Sequence, residues 1–346
     1  MSILGQPLLI ANVNYHVGHH VAIAVAEEQG YFRDEGLGSY VYESRGLIPG
    51  PFEREGVALA MKEHGVDIAT AVDVEAALTQ RSQGADLFIV GGWRYTPYLK
   101  WYGAKDITDI RKLRGRKIGT REGREGLVQI FVANALREAG LDPDKEVEWV
   151  YDPVFGYRNN PAHMEMLRSG KVDAITSSPP FSTQLEREGY PVILDPNTVF
   201  PRRPGKLTVA TARTTEQRTD ELRAYFRAII RAFWFMRDVG NFEVLRDLEG
   251  RLRKMTHNED ERRLLIVSAP DRADSWALPI DGGVEPGALE RIIEEMVASK
   301  KLNRRIAVAD VLRDGPVTEA YREVSRRPEL QPALEKARAA VHKYGF

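Results

Sequence analysis

The chain has 346 residues, with 49 Lys and Arg against 50 Asp and Glu and a net charge of −1. At about 150 residues per domain the length suggests two domains or one large unit, and the charge balance excludes a general affinity for nucleic acid or anionic membrane. Cysteine does not occur, which removes disulfides, thiolate nucleophiles, iron–sulfur clusters and cysteine-ligated zinc.

The amino-terminal run is a short apolar stretch with no Lys or Arg before it, and polar Asn12 and Asn14 follow. It reads as a core strand and not as a secretory signal. As written, the chain is expected in the cytoplasm, and in the periplasm or outside the cell if a leader has been removed. No window approaches the roughly 18 apolar residues of a membrane span, so no membrane insertion is expected.

Strand-like runs then alternate with helix-like ones. Pro7–Asn12 precedes a helix over about 20–29, Tyr40–Glu43 one over 52–64, and Asp67–Ala71 one over 73–83. Next come strands at Asp86–Val90 and Lys117–Thr120, a helix over 125–139, a strand at 147–151, a helix at 162–168, and strands at 174–176 and 192–194. This alternation predicts an α/β fold with mostly parallel sheets. After a last strand at Leu207–Ala212 only helices are predicted: 215–238, 242–254, 259–268, 286–299, 317–326 and 329–344. The segments 91–102 and 196–206 read as crossings between lobes. A discontinuous first lobe of 1–94 and 207–346 therefore surrounds a second lobe of 95–206, and the cleft between them is the expected ligand site.

Five stretches carry a family resemblance. They are Ala24-Val-Ala-Glu-Glu-Gln-Gly-Tyr-Phe-Arg-Asp-Glu-Gly-Leu37, His64-Gly-Val-Asp-Ile-Ala69, Leu113-Arg-Gly-Arg-Lys-Ile-Gly119, Ala135-Leu-Arg-Glu-Ala-Gly-Leu-Asp-Pro143 and Leu167-Arg-Ser-Gly-Lys-Val-Asp-Ala-Ile175. In this order they resemble the nitrate/sulfonate/taurine and thiamine-precursor solute-binding proteins. The resemblance implies a type II periplasmic-binding-protein fold, two α/β lobes with two crossovers, here with a helical carboxyl-terminal region. Most of the shared residues are scaffold: Gly30 ends a helix and Gly36 a turn, where a positive φ is expected, while Asp67 and Asp173 each open a strand.

In such folds ligands meet the loops at the carboxyl ends of strands, where helix amino-termini favour anions. The first loop, Asn12 to His20, offers Asn14, Tyr15, His16, His19 and His20; surface or capping histidines are the alternative reading. His16 and His20 are four apart, but no acidic third ligand accompanies them, so no metal is expected. The second loop offers Arg45, and the third Asp73, for which helix capping is the simpler role. At the first crossing, Trp93, Arg94 and Tyr95 suit a planar or carboxylated ligand, with hinge packing as the alternative. In the second lobe Thr120-Arg-Glu-Gly-Arg-Glu-Gly126 occupies the place of the anion-binding amides of the sulfonate- and nitrate-binding relatives. Arg121, Gly123 and Arg124 are its candidates. From Lys100 to Arg124 cations outnumber anions, which makes either a positive wall or a solvated face. Asn159, Ser177 and Ser178 complete the set as uncharged partners.

Two functions follow. In the first, the chain binds a small organic anion, a carboxylate or sulfonate with or without an aromatic body, and delivers it to an ABC permease without any cofactor. In the second it is a cytoplasmic cofactor-free enzyme on the same fold, a decarboxylase, lyase or hydrolase with His16 or His19 as acid/base. Two enzymes of the family are excluded on residues: the fungal thiamine pyrimidine synthase needs Lys, His and cysteines where this chain has Ala71, Glu75 and none, and the aromatic sulfinate desulfinase needs a Cys near Val17. No P-loop, dinucleotide, zincin or hydrolase-elbow motif occurs.

Overall fold

A computed structural model describes residues 6–13, 17–38, 40–43, 56–95, 100–120, 127–151, 160–177, 181–195, 202–254 and 278–344. The chain divides into two compact units. The first comprises 1–96, 202–262 and 275–346, and the second 97–201 and 263–274.

The first unit holds a five-stranded sheet of β1 (Leu8–Asn12), β2 (Tyr40–Glu43), β3 (Ile68–Asp73), β4 (Phe88–Tyr95) and β10 (Pro204–Ala210) in the order β2-β1-β3-β10-β4. The second unit holds β5 (Lys100–Gly103), β6 (Lys117–Thr120), β7 (Glu148–Tyr151), β8 (Ala174–Ser177) and β9 (Val192–Leu194) in the order β7-β6-β8-β5-β9. The two orders have the same form. In each sheet a strand that follows a chain crossing, β10 or β5, lies second from one edge and antiparallel to both neighbours. The expectation of mostly parallel sheets is corrected accordingly: each sheet has two parallel and two antiparallel pairings.

The first sheet is covered by α1 (Val21–Glu28), α2 (Tyr31–Asp34), α3 (Val57–His64), α4 (Val74–Ser82), and, in the second half of the chain, helices beginning with Ala212–Gln217 and Thr219–Arg237. The long helix Thr219–Arg237 is the centre of the core. It buries Leu222, Tyr225, Phe226, Ile229, Ile230, Phe233 and Trp234 along one stripe, at the spacing expected of an amphipathic helix. One helix was expected over 215–238. The break falls at Arg218, with φ −127° and ψ 30°, whose guanidinium donates to Asp67 at 2.7 Å, to Glu221 at 2.5 Å and to the Gln6 carbonyl at 2.8 Å.

The segment 91–102 is not one long crossing: β4 continues to Tyr95, and β5 begins at Lys100. Gly91 and Gly92, expected at the start of the crossing, are strand residues pressed against other parts of the chain. A Cβ on Gly92 would stand 2.4 Å from the Gly283 carbonyl oxygen, and one on Gly91 2.6 Å from the Phe226 ring. Gly92 donates to Gly282 at 2.8 Å, while Ile89 donates to Val311 and accepts from Arg313, both at 2.8 Å. The outer side of β4 is thus occupied by residues from the end of the chain. The helix expected at 259–268 lies outside the described residues.

Candidate functional site

The carboxyl ends of β1, β3 and β4 and the start of β10 gather at one end of the first sheet. Asn12, fully buried, donates its amide to the His19 carbonyl at 2.8 Å and so ties the turn Val17–His19 to the end of β1. His19 and His20 are both buried, and His20 heads α1 without a capping bond. Arg94, on β4, is only 6% exposed. Its terminal nitrogens lie under the loop that follows β1: a Cβ on Gly18 would stand 3.6 and 3.8 Å from them. Gly18 therefore lies directly beside a buried guanidinium, the group best suited to a carboxylate or sulfonate.

The neighbouring predicted residues take different roles. Trp93 is buried with its ring 5.6 Å from that of Phe233 in an edge contact, which makes it a core side chain. Burial pushes the Tyr95 hydroxyl well above its ordinary range, and Asp281 adds to the effect, so its phenol stays neutral and able to donate. Asp73 occupies the N-cap position of α4, but its side chain does not cap. Its carboxylate instead accepts from Lys206 at 2.5 Å. This corrects the capping role expected for it.

Lys206 is the residue that sequence reasoning missed. It reads as the last residue of a crossing, whereas β10 already begins at Pro204, a position where a strand tolerates proline. Pairing places Lys206 opposite Asp73 on β3 and opposite Arg94 on β4, so the three side chains form one row across three strands. The available signal was the cationic group Arg202, Arg203 and Lys206 ahead of the strand. Arg202 pairs with Glu285 at 3.0 Å and Arg203 with Glu295 at 2.6 Å. Ala71, beside this row, holds a φ of 60° although it is not glycine, a conformation that costs about 1–2 kcal/mol and that concentrates at functional sites.

In the second unit β6 ends at Thr120 and a helix, α5, runs over Leu127–Glu138, so the proposed anion loop does connect a strand to a helix. Its residues Arg121, Gly123 and Arg124 lie outside the described residues, as do Asn14, Tyr15, His16, Arg45, Asn159 and Ser178. Ser177 ends β8, is 1% exposed, and its hydroxyl has no hydrogen-bond partner among the described residues. A buried hydroxyl is normally satisfied, and an end-of-strand hydroxyl left open is suited to a ligand. The cationic run from Lys100 is largely neutralised within its own unit: Arg111 binds Asp109 at 2.7 Å, Arg116 binds Asp106 at 3.2 Å and Asp173 at 3.3 Å, Arg114 pairs with Glu146, and Lys100 pairs with Glu186 at 3.4 Å. Of the two readings of that run, the solvated face fits these pairs. Among the described residues no three His, Asp or Glu side chains converge as a metal site, and no helix is long and apolar enough to cross a membrane.

A family model described as NMT1/THI5 like matches residues 18–240, and the chain belongs to that family. No curated protein sequence matches it significantly. Among solved structures it is similar to the periplasmic aliphatic sulphonate binding protein of Escherichia coli, at 15% identity and a TM-score of 0.64 over 89% of this chain and 97% of that one. A putative sulfonate-binding protein of Methylobacillus flagellatus KT gives 15% identity and 0.66 over 94% and 96%. The periplasmic nitrate-binding protein of Synechocystis PCC 6803 gives 14% and 0.58 over 96% and 91%. A desulfurization enzyme is also similar, at 15% and 0.60 over 92% and 99%. These likenesses establish a fold of the periplasmic-binding-protein type, as the five sequence signatures implied.

Proposed function

We propose that this chain is a solute-binding protein that captures a small organic anion, carboxylated or sulfonated, and delivers it to an ABC permease. The observation that carries the reading is Arg94, a guanidinium 6% exposed at the carboxyl end of β4 with glycine at position 18 beside it. Relatives of this fold described as sulphonate- and nitrate-binding support it. Chemistry by the enzyme alternative would rest on His16, or on His19, whose burial and backbone tie to Asn12 suit a structural role better. A corollary is export: cell fractionation is expected to find the protein in the periplasmic or extracellular fraction.

Calorimetry with benzenesulfonate, benzoate, taurine and nitrate tests the reading. At least one is expected to bind without turnover, and Arg94→Ala to weaken it about 30-fold or more, the loss of one charge-assisted partner in a desolvated site. Undiminished binding by Arg94→Ala would overturn it.

A further inference from the structure

We propose that the first unit carries a second binding site, for a neutral aromatic ring with one hydrogen-bond donor, in a cavity between its helices. The cavity measures about 80 Å³ and shares no residue with the candidate anion site. Its lining comes from α2, the long helix Thr219–Arg237, the turn Val239–Asn241 and the segment from Leu330 to Ala333 that opens the last helix, Gln331–Tyr344. The proposal does not depend on the anion reading.

The lining defines the ligand's chemistry. Buried Trp234 is the floor, and half-buried Tyr31, Phe235, Leu330 and Ala333 stand around it. The charged members are already matched. Arg231 lies over the Tyr31 ring at 4.1 Å and pairs with Glu35 at 2.6 Å and Asp34 at 3.2 Å, while Asp238 accepts from the Gly240 amide and from Lys336, both at 2.9 Å. The N–H donors are engaged as well: Trp234 Nε1 donates to the Ile280 carbonyl at 2.7 Å and Asn241 Nδ2 to the Phe235 carbonyl at 2.9 Å. What the cavity offers a ligand is therefore apolar surface and the oxygens of Asn241 and Tyr31. A charged ligand would lose its hydration without gaining a counter-ion, whereas a neutral ring with an O–H or N–H matches both features. A cavity of about 150 Å³ encloses benzene. At about half that volume and with half-buried walls, this one takes a ring edge-first and leaves its substituent at the mouth.

Fluorine NMR titration of the whole chain tests this with 4-fluorophenol, fluorobenzene and 4-fluorobenzoate. 4-Fluorophenol is expected to bind with a Kd of about 1 mM, the range for a ligand of so few atoms, and fluorobenzene about fivefold more weakly, the value of one neutral hydrogen bond. Ala333→Phe plugs the cavity from a half-buried position and is expected to abolish binding of 4-fluorophenol. Ala333→Leu is the smaller plug if circular dichroism shows that the first variant folds poorly. Asn241→Ala is expected to bring 4-fluorophenol down to the level of fluorobenzene. 4-Fluorobenzoate, a probe for the anion site, is expected to respond to neither substitution, so the failure of one site leaves the other standing. The proposal is overturned by an absence of 4-fluorophenol binding up to about 10 mM, by binding undiminished in the folded Ala333 variant, or by equal affinity for fluorobenzene. Binding of 4-fluorobenzoate that is lost in Ala333→Phe overturns it too, because the cavity would then accept an anion.

Discussion

Asp67 grips Leu9 through both of its backbone groups: the Asp67 amide donates to the Leu9 carbonyl at 2.9 Å, and the Leu9 amide donates to the Asp67 carboxylate at 3.0 Å. Asp173 repeats the arrangement in the second unit with Lys117, at 2.7 and 2.8 Å. Each Asp thus sets the register of one parallel strand against its neighbour, which is why the same Val-Asp pair recurs in the two halves of the chain.

The two aspartates differ in what else they hold, and this gives a first prediction. Asp67 also pairs with Arg218, whose side chain is 1% exposed, whereas Asp173 pairs with Arg116, 43% exposed. Asp67→Ala takes one of two carboxylates from a buried guanidinium that keeps Glu221, and is expected to cost about 1.5–3 kcal/mol, against about 0.5–1.5 kcal/mol for Asp173→Ala. Urea unfolding of the two variants measures the difference, and equal losses would refute this account.

Glu35, from the Glu-Gly-Leu signature, predicts an acid sensitivity. Its buried carboxylate accepts from Arg327 at 2.7 and 2.8 Å, from Arg231 at 2.6 Å and from Arg227 at 2.9 Å. Burial alone would raise its pKa, but Arg327 and Arg231 together outweigh burial and hold it below the ordinary range. A lowered folded value means that the stabilisation is complete above the unfolded value of about 4.3 and is lost as the pH falls through the folded one. The stability difference between the parent and Glu35→Gln is therefore expected to be large at pH 7 and to shrink below about pH 4. A difference independent of pH would count against the carboxylate's charge as its source.

Ser177→Ala tests whether the hydroxyl at the end of β8 contributes to stability. Removing a buried hydroxyl that lacks a partner among the described residues is expected to leave stability unchanged or raised by up to about 1 kcal/mol. Thermal melts check this, and a loss of more than about 1 kcal/mol would count against an open hydroxyl.

The strand β4 yields a further test at Gly92. A methyl group there meets the Gly283 carbonyl oxygen at 2.4 Å, so Gly92→Ala is expected to destabilise by about 1–3 kcal/mol through overpacking. Gly38→Ala, where a Cβ meets nothing within 4 Å, is the control and should be close to neutral in the same melts.

These residues also show what the sequence reveals and what it hides. Alternating strands and helices, the fold type and the strand-opening aspartates are legible because they depend on local periodicity and on short motifs. Gly91 and Gly92 mislead because their small size answers to Gly282 and Gly283, about 190 positions later, and nothing local distinguishes that need from the start of a crossing. Lys206 is hidden for a related reason: its partners Asp73 and Arg94 become neighbours only when β10 pairs with β3 and β4. Arg94 was legible as a candidate from the aromatic segment at the first crossing and Ser177 from the loop after a recognisable strand, but the presence of Gly18 beside the guanidinium depends on tertiary packing.

The strand order of the first sheet imposes a schedule on synthesis. β3 and β4 are separated by β10, so after residue 95 has left the ribosome they have no correct partner on their facing sides until residues 204–210 are made, and the far side of β4 waits for Gly282, Val311 and Arg313. At about 5–20 residues per second, the wait for Arg313 lasts roughly 10–45 s. During that interval β4 is a naked strand of eight residues open to pairing with another nascent chain, so the yield of native protein is expected to depend on chaperones that cover such strands more than on the stability of the finished fold.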